Sequence, residues 1–241
     1  MKLLWVFLGA LLSGAALAQS DIEAIDRGTL IPSLRLSFDI AGEAGPQGPA
    51  APHSGHGIEI GLSGGSGEDS QGLSTGELVR FGGRNFVGST TLQHEFDFRM
   101  FELAYRYRRF FGSGVFGIEA LGGLGFAALE FSTSSPTASA SEKMSSGGLL
   151  GAFGVIWKFH PAASLHPRLT LFASGEEEGV TAAARFDLQL TWAVARNVAL
   201  RGGLTSWAFT SARVEGNDSN SFNSRVTAAA SGLSLGLDVA F

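Results

Sequence analysis

The sequence predicts an all-β chain, an antiparallel up-and-down barrel, from three observations. Apolar residues recur at every second position in a succession of segments, most cleanly at the end of the chain, where Leu233, Leu235, Leu237, Val239 and Phe241 alternate with Ser234, Gly236, Asp238 and Ala240. That period gives a strand one apolar face and one polar or small face. Turn-forming clusters rich in Gly, Ser, Asn and Pro separate the segments, and glycine alone accounts for 34 of 241 residues. Finally, the chain is unusually apolar, with 44 % hydrophobic residues, a mean hydropathy of +0.18 and 16 % charged residues. Soluble domains carry about a quarter charged residues.

Met1 to Ala18 reads as a secretory leader: Lys2 supplies the positive start, Leu3 to Leu12 the apolar stretch, and Ala16-Leu17-Ala18 an A-x-A site with cleavage after Ala18. No Cys follows, so lipoprotein processing is excluded. Beyond it no window approaches the run of about 18 apolar residues that marks a spanning helix. An exported chain that enters a membrane must then do so as a closed sheet, because an open edge leaves backbone groups unsatisfied in hydrocarbon. The net charge of −5 argues against nucleic acid as a partner, and the absence of cysteine excludes a disulfide framework or thiolate site.

Residues 19–29 are expected to be a periplasmic lead-in, with the barrel over 30–241. Leu34, Leu36, Phe38 and Ile40 alternate with Arg35, Ser37 and Asp39 as a first strand, and the Gly/Pro/Ala-rich stretch 42–55 as an outer loop. Ile58, Ile60 and Leu62 oppose Glu59 in a second. Leu78, Val79, Phe81 and Phe86 around Gly82-Gly83 make 77–87 a weaker candidate. In 94–110, Phe96, Phe98 and Met100 oppose Glu95, Asp97 and Arg99, then the phase flips to Phe101, Leu103, Tyr105 and Tyr107 opposite Glu102, Arg106 and Arg108. A β-bulge at Met100-Phe101 is expected to restore the facing. Gly112-Ser113-Gly114 is a tight turn. Phe116, Ile118, Ala120, Leu124 and Phe126 continue, with Glu119 between them. Residues 132–146 read as a loop. Leu149, Phe153, Val155 and Trp157, then Leu169 and Leu171, form further faces. Glu176 to Glu178 make an acidic loop. Phe186, Leu188, Leu190 and Trp192 oppose Arg185 and Asp187, and Arg196-Asn197 is a turn. Leu200 and Leu204, with Arg201 between, precede a second phase shift near Thr205 that leads to Trp207 and Phe209. Residues 213–225 are a polar loop before the closing strand.

Nine segments are clear: 33–41, 56–64, 94–110, 114–131, 147–159, 166–174, 180–195, 197–211 and 226–241. Closure with both termini in the periplasm needs an even number, so 77–87 is taken as a tenth strand, with eight strands as the alternative. Short connections alternate with longer polar ones, as in transmembrane barrels. With its leader, hairpin rhythm, Gly-rich strands such as Leu121-Gly-Gly-Leu-Gly-Phe-Ala127 and terminal Phe241, the chain resembles small outer-membrane barrels of the OmpA/OmpW/OmpX type. The resemblance implies an outer-membrane location, lipid and lipopolysaccharide as surroundings, and a monomeric barrel. It also implies that Leu235, Leu237, Val239 and Phe241 act as a signal to the barrel-assembly machinery.

Inward positions are expected to carry Arg35, Asp39, Glu59, Glu95, Asp97, Arg99, Glu102, Arg106, Arg108, Glu119, Arg185, Asp187 and Arg201. Unpaired charges away from water are costly, so these should pair across a narrow lumen and fill it. The expected role is structural or surface interaction through the outer loops, without cofactor, metal or catalysis. The alternatives are a narrow channel for small solutes and a lipid A-modifying enzyme. His53, His56, His94, His160 and His166 supply no spacing that demands catalysis, and the two turn-flanking ones, His160 and His166, are expected to be solvent-exposed. Matches to GxSxG at Gly61 to Gly65 and Gly72 to Gly76, and to GxGxxG at Gly112 to Gly117, lack the strand–helix context such motifs need.

Overall fold

The computed structural model describes residues 20–42, 54–175, 179–215 and 222–240. The leader, His53, Glu176 to Glu178, Phe241 and the Asp39 side chain lie outside them. The elements are all strands: β1 (Ser20–Gly42), β2 (Gly55–Leu73), β3 (Leu78–Phe81), β4 (Arg84–Val87), β5 (Thr90–Phe111), β6 (Phe116–Ser134), β7 (Ser139–His160), β8 (Ala163–Ala173), β9 (Gly179–Ala193), β10 (Val198–Glu215) and β11 (Phe222–Ala240). Among the described residues no helix is long and apolar enough to cross a membrane.

Nine strands form one sheet that closes into a ring in the order β1-β11-β10-β9-β8-β7-β6-β5-β2. The count corrects the expectation of ten, or of eight, for two reasons. Residues 20–29 are the first half of β1 and not a lead-in, and β1 pairs parallel with β11 from Ser20↔Ser224 to Ser37↔Ala240. An odd ring requires one such parallel pair, and it puts Ser20 and Ala240 at opposite ends. The second reason is 77–87, which stays out of the wall. Gly82 and Gly83 adopt φ of +56° and +70°, the double positive-φ turn of a two-residue hairpin. They fold β3 onto β4 alone, from Leu78↔Val87 to Phe81↔Arg84.

The hairpin leaves from the end of the ring where β6 passes to β7 through 135–138, where β8 ends and β9 begins, and where β10 ends and β11 begins; this is the loop end. The connections 112–115, 161–162 and 194–197 lie at the turn end. β1 ends and β2 begins at the turn end, and most of the outer loop expected between them lies outside the described residues. The loops expected over 132–146 and 213–225 are shorter than the sequence suggests, because β6, β7, β10 and β11 run on into them.

Neither expected phase change is a break in the sheet. β5 keeps register with β2 and β6 through Met100 and Phe101, and β10 keeps register with β11 through Thr205. Every even residue of β5 from Leu92 to Arg106 is inward and buried. What changes along the strand is the environment on each side. Toward the turn end the outward residues are apolar (Phe101, Leu103, Tyr105) and the inward ones charged (Glu102, Arg106). Toward the loop end the outward residues are polar (Glu95, Asp97, Arg99) and the inward ones apolar (Phe96, Phe98, Met100). β6 makes the same exchange, from Leu124 and Phe126 outside with Glu119 inside to Glu130 and Ser132 outside with Leu129 and Phe131 inside. β10 follows, from Arg201 inside to Trp207 and Phe209 inside.

The ring therefore has two levels. The loop-end level has an apolar core in which Trp207 and Phe209 stack at 5.1 Å and Phe98 lies 5.0 Å from Phe209. Hairpin β3–β4 roofs it with buried Val79, Phe81 and Phe86, Phe81 meeting Phe131 edge-on at 5.5 Å.

Candidate functional site

The turn-end level is filled by a buried network of charges that every wall strand except β7 supplies. Its centre is Arg168 on β8, which lies 2.8 Å from Glu59, 3.5 Å from Glu119 and 3.7 Å from Glu102. Glu59 also receives Arg35 at 3.0 Å and Arg106 at 3.8 Å. Glu119 pairs with Arg108 and lies 3.2 Å from His166. Arg185 is forked onto Glu102 and donates to Asp187 at 2.9 Å. Asp187 accepts from Thr205 at 2.7 Å, and Arg201 meets Asp238 at 3.0 Å and Ser33 at 2.8 Å. The Arg185 guanidinium lies 4.8 Å from the Trp207 ring centre, so it joins the charged level to the apolar one.

The alternation of the strands brings these groups together, since one face of each strand must point into the ring. Small residues make room for them. A Cβ on Gly154 of β7 would stand 2.8 Å from His166 Nε2, and one on Gly236 would stand 2.7 Å from Arg201 Nη2. β7 thus contributes an absence of side chain where its neighbours contribute charge.

Of the thirteen expected lumen residues, the structure gathers Arg35, Glu59, Glu102, Arg106, Arg108, Glu119, Arg185, Asp187 and Arg201 here. Glu95, Asp97 and Arg99 are corrected: they are exposed on the outer face of β5. Their facing was inferred from a bulge that the strand does not contain. Sequence reasoning left out Arg168, although Leu169 and Leu171 mark it as inward. It also left out His166, expected in solvent beside a turn but 5 % exposed and 3.2 Å from Glu119. Asp238, on the polar face of the closing strand, forms an ion pair with Arg201. In the closing strand Leu235 and Leu237 face outward, and Val239 is half-buried.

The arrangement leaves little free space. A cavity of about 20 Å³ remains beside Arg35, Arg185 and Arg201, room for roughly one water molecule. Chemically the network can close the ring's interior to ions by filling it, and each carboxylate is already engaged by a cation. Among the described residues no group of three His, Cys, Asp or Glu side chains is placed to hold a metal ion.

The remaining histidines are dispersed. His56 contacts the Tyr105 hydroxyl, and His160 stacks on Trp192 at 5.7 Å. His94 is buried in the loop-end level, with Nδ1 3.0 Å from Thr133 Oγ1 and Asp69 opposite it on β2. Burial pushes its pKa below the ordinary histidine value, with Asp69 pulling the other way.

No protein-family model, curated protein or solved structure matches this chain.

Proposed function

We propose that the chain is an outer-membrane β-barrel, exported by a leader cleaved after Ala18, whose lumen is closed by the ionic network. Its role is structural or surface-interacting, carried by the level that stands clear of the bilayer. One observation carries this reading: interior and exterior exchange polarity along β5 and β6, and the interior does so along β10. Below the exchange the outside suits hydrocarbon and the inside suits charge, and above it the reverse holds, as in a water-soluble barrel.

Two magnitudes support it. A strand needs about 9–11 residues to span a bilayer, yet β5 and β7 have 22 each. About half of each strand is left for water. The outward apolar runs are Phe101 to Phe111, Phe116 to Phe126 and Leu149 to Phe159, and Arg109 near the turn end is the single charge among their outward positions. Ten steps at ~3.4 Å, tilted by ~40°, give a belt ~26 Å tall, close to the ~25 Å band of such barrels. Exposed Phe116 and Trp157, stacked at 6.1 Å, and Trp192 border the turn end as an aromatic girdle. On this reading the surroundings are membrane lipid and lipopolysaccharide, with the closing strand addressed to the barrel-assembly machinery.

Conductance across a planar lipid bilayer tests the closed lumen. Purified protein that inserts without steady ion current is the expected result. A stable, ion-selective current would replace it with the narrow-channel reading.

A further inference from the structure

The wall has one incomplete seam. β1 and β2 are laddered only from Ser33↔Ser63 to Gly42↔Gly55. Beyond Ser33, β1 goes on paired to β11, and β2 goes on paired to β5 as far as Leu73↔Thr90. Among the described residues no ladder joins 20–32 to 64–73. Two carboxylates bridge the gap toward the loop end. Asp69 accepts from the Ile25 backbone N–H at 2.8 Å, and Asp26 accepts from that of Glu68 at 3.1 Å. The strands touch there, since a Cβ on Gly67 would collide with Asp26 Cβ and with the Phe96 ring. Side-chain bonds thus do at this end what a ladder does elsewhere.

His94 stands on the other side of Asp69. The two residues are paired across β2 and β5, and directly opposed side chains have Cβ atoms about 4.5–5.5 Å apart. The imidazole is buried, its Nδ1 is 3.0 Å from Thr133 Oγ1, and among the described residues its Nε2 has no hydrogen-bond partner. An imidazolium there would hold two N–H donors away from water, which is costly unless an anion meets it. β6 presents Thr133 and Phe131, and the β3–β4 hairpin presents Phe81 against Phe131, none of them charged. Arg80 and Arg84 are exposed on the hairpin, and Glu95 is on the outer face of β5. Glu142 on β7 is in register with Phe131, with β6 between it and β5. Asp26 is engaged by Glu68. Asp69 is the carboxylate that faces His94.

We propose that His94 and Asp69 form an acid-sensitive latch on the β1–β2 seam. With His94 neutral, Asp69 holds the Ile25 amide. When His94 takes up a proton, Asp69 turns to the imidazolium, because a bond between two charged groups is stronger than one to a neutral amide. Asp26 alone then bridges the strands, and 20–32 part from 64–73 with the ladder below Ser33 as the hinge. The register shift between Arg27 and Thr29 gives β1 a place to bend. Opening admits water to Phe96 and Phe98 beneath. Burial holds the His94 pKa below its ordinary value, so the seam stays shut at neutral pH and opens as pH falls below about 6.5. The latch lies in the level that the reading above places in water, where the freed Ile25 N–H finds a partner, and it does not otherwise depend on a bilayer.

Hydrogen exchange of the full chain, refolded in detergent, tests this between about pH 7.5 and about pH 5.5, with each amide's rate divided by its intrinsic rate. Uptake of one proton shifts an opening equilibrium by at most about tenfold per pH unit, so protection of Ile25 and Glu68 should fall roughly tenfold. Protection of Leu103, laddered on both sides in β5, should hold. His94→Gln should make Ile25 and Glu68 insensitive to pH in this window, and Asp69→Ala should lower Ile25 protection equally at both ends of it. The unsubstituted protein gives a second readout, in which the Ile25 amide and His94 ring resonances titrate with one midpoint. Unchanged protection at the lower pH, a fall that persists in His94→Gln, or separate midpoints would overturn the latch. A fall that Leu103 shares would overturn it too, by showing that acid loosens the whole barrel.

Discussion

Arg168 reaches three carboxylates from three strands while almost fully buried, so its removal leaves Glu59, Glu102 and Glu119 short of a cation. Breaking a buried pair in this way costs about 3–5 kcal/mol. Lys143 and Glu130 are also 3.1 Å apart, but on the outer surface with the lysine side chain 78 % exposed, where such a pair is worth at most about 1 kcal/mol. Urea unfolding should therefore show Arg168→Ala losing roughly 3–5 kcal/mol and Lys143→Ala under about 1; similar losses would mean that the charged level is solvated. Gly154→Val tests the same packing from the other side. Its Cβ would collide with His166 Nε2, and overpacking of this kind costs about 1–3 kcal/mol. His94 adds a pH dependence in the level above the apolar belt. Its folded pKa lies below the unfolded value of about 6.5, so the unfolded chain binds a proton that the folded one does not. Stability should be full above that pH and fall as pH drops through it, and His94→Gln should flatten the slope in this window. A slope unchanged by the substitution would assign it to another group.

At the scale of the element, β5 shows what alternation can and cannot reveal. Its period of two is legible from Leu92 to Arg106, and so is the change of character at Met100-Phe101. Which face is inward is not legible, because period and facing are separate facts. A bulge and an exchange of environments produce the same letter pattern, and only the unbroken register with both neighbours distinguishes them. The same ambiguity at Thr205 was resolved the same way. In β1 the structure does place a register shift, between Arg27 and Thr29, in a stretch whose sequence pattern is too short to mark a strand. His166 was hidden for a different reason: between Pro161 and Pro167 it resembles a turn flank, whereas Arg168 was legible as inward from Leu169 and Leu171. For hairpin β3–β4 the Gly82-Gly83 pair was the visible clue, and the buried apolar residues around it belong to a roof. Phe81→Ala should loosen that roof, costing about 3–5 kcal/mol locally and exposing Gly82-Gly83 to protease faster than the wall strands. Equal cleavage rates in both proteins would show that the hairpin does not depend on its packing against Phe131.

For the whole molecule, the exchange of polarity unites the odd strand count, the long strands and the filled interior. A nine-strand ring is narrow, so its inside is solid at both levels, ionic below and aromatic above. On the proposed membrane reading, that interior suits holding a surface in place and suits conduction poorly. The most direct measurement compares two arginine substitutions by refolding into lipid vesicles. Phe153→Arg lies on the outer face at the middle of the apolar belt, and Ser132→Arg lies on the outer face above it. The expected result is a loss of about 2–4 kcal/mol for Phe153→Arg, the scale for a charge on a lipid-facing strand, with little change for Ser132→Arg. Equal, small effects at both positions would contradict a bilayer around the lower level.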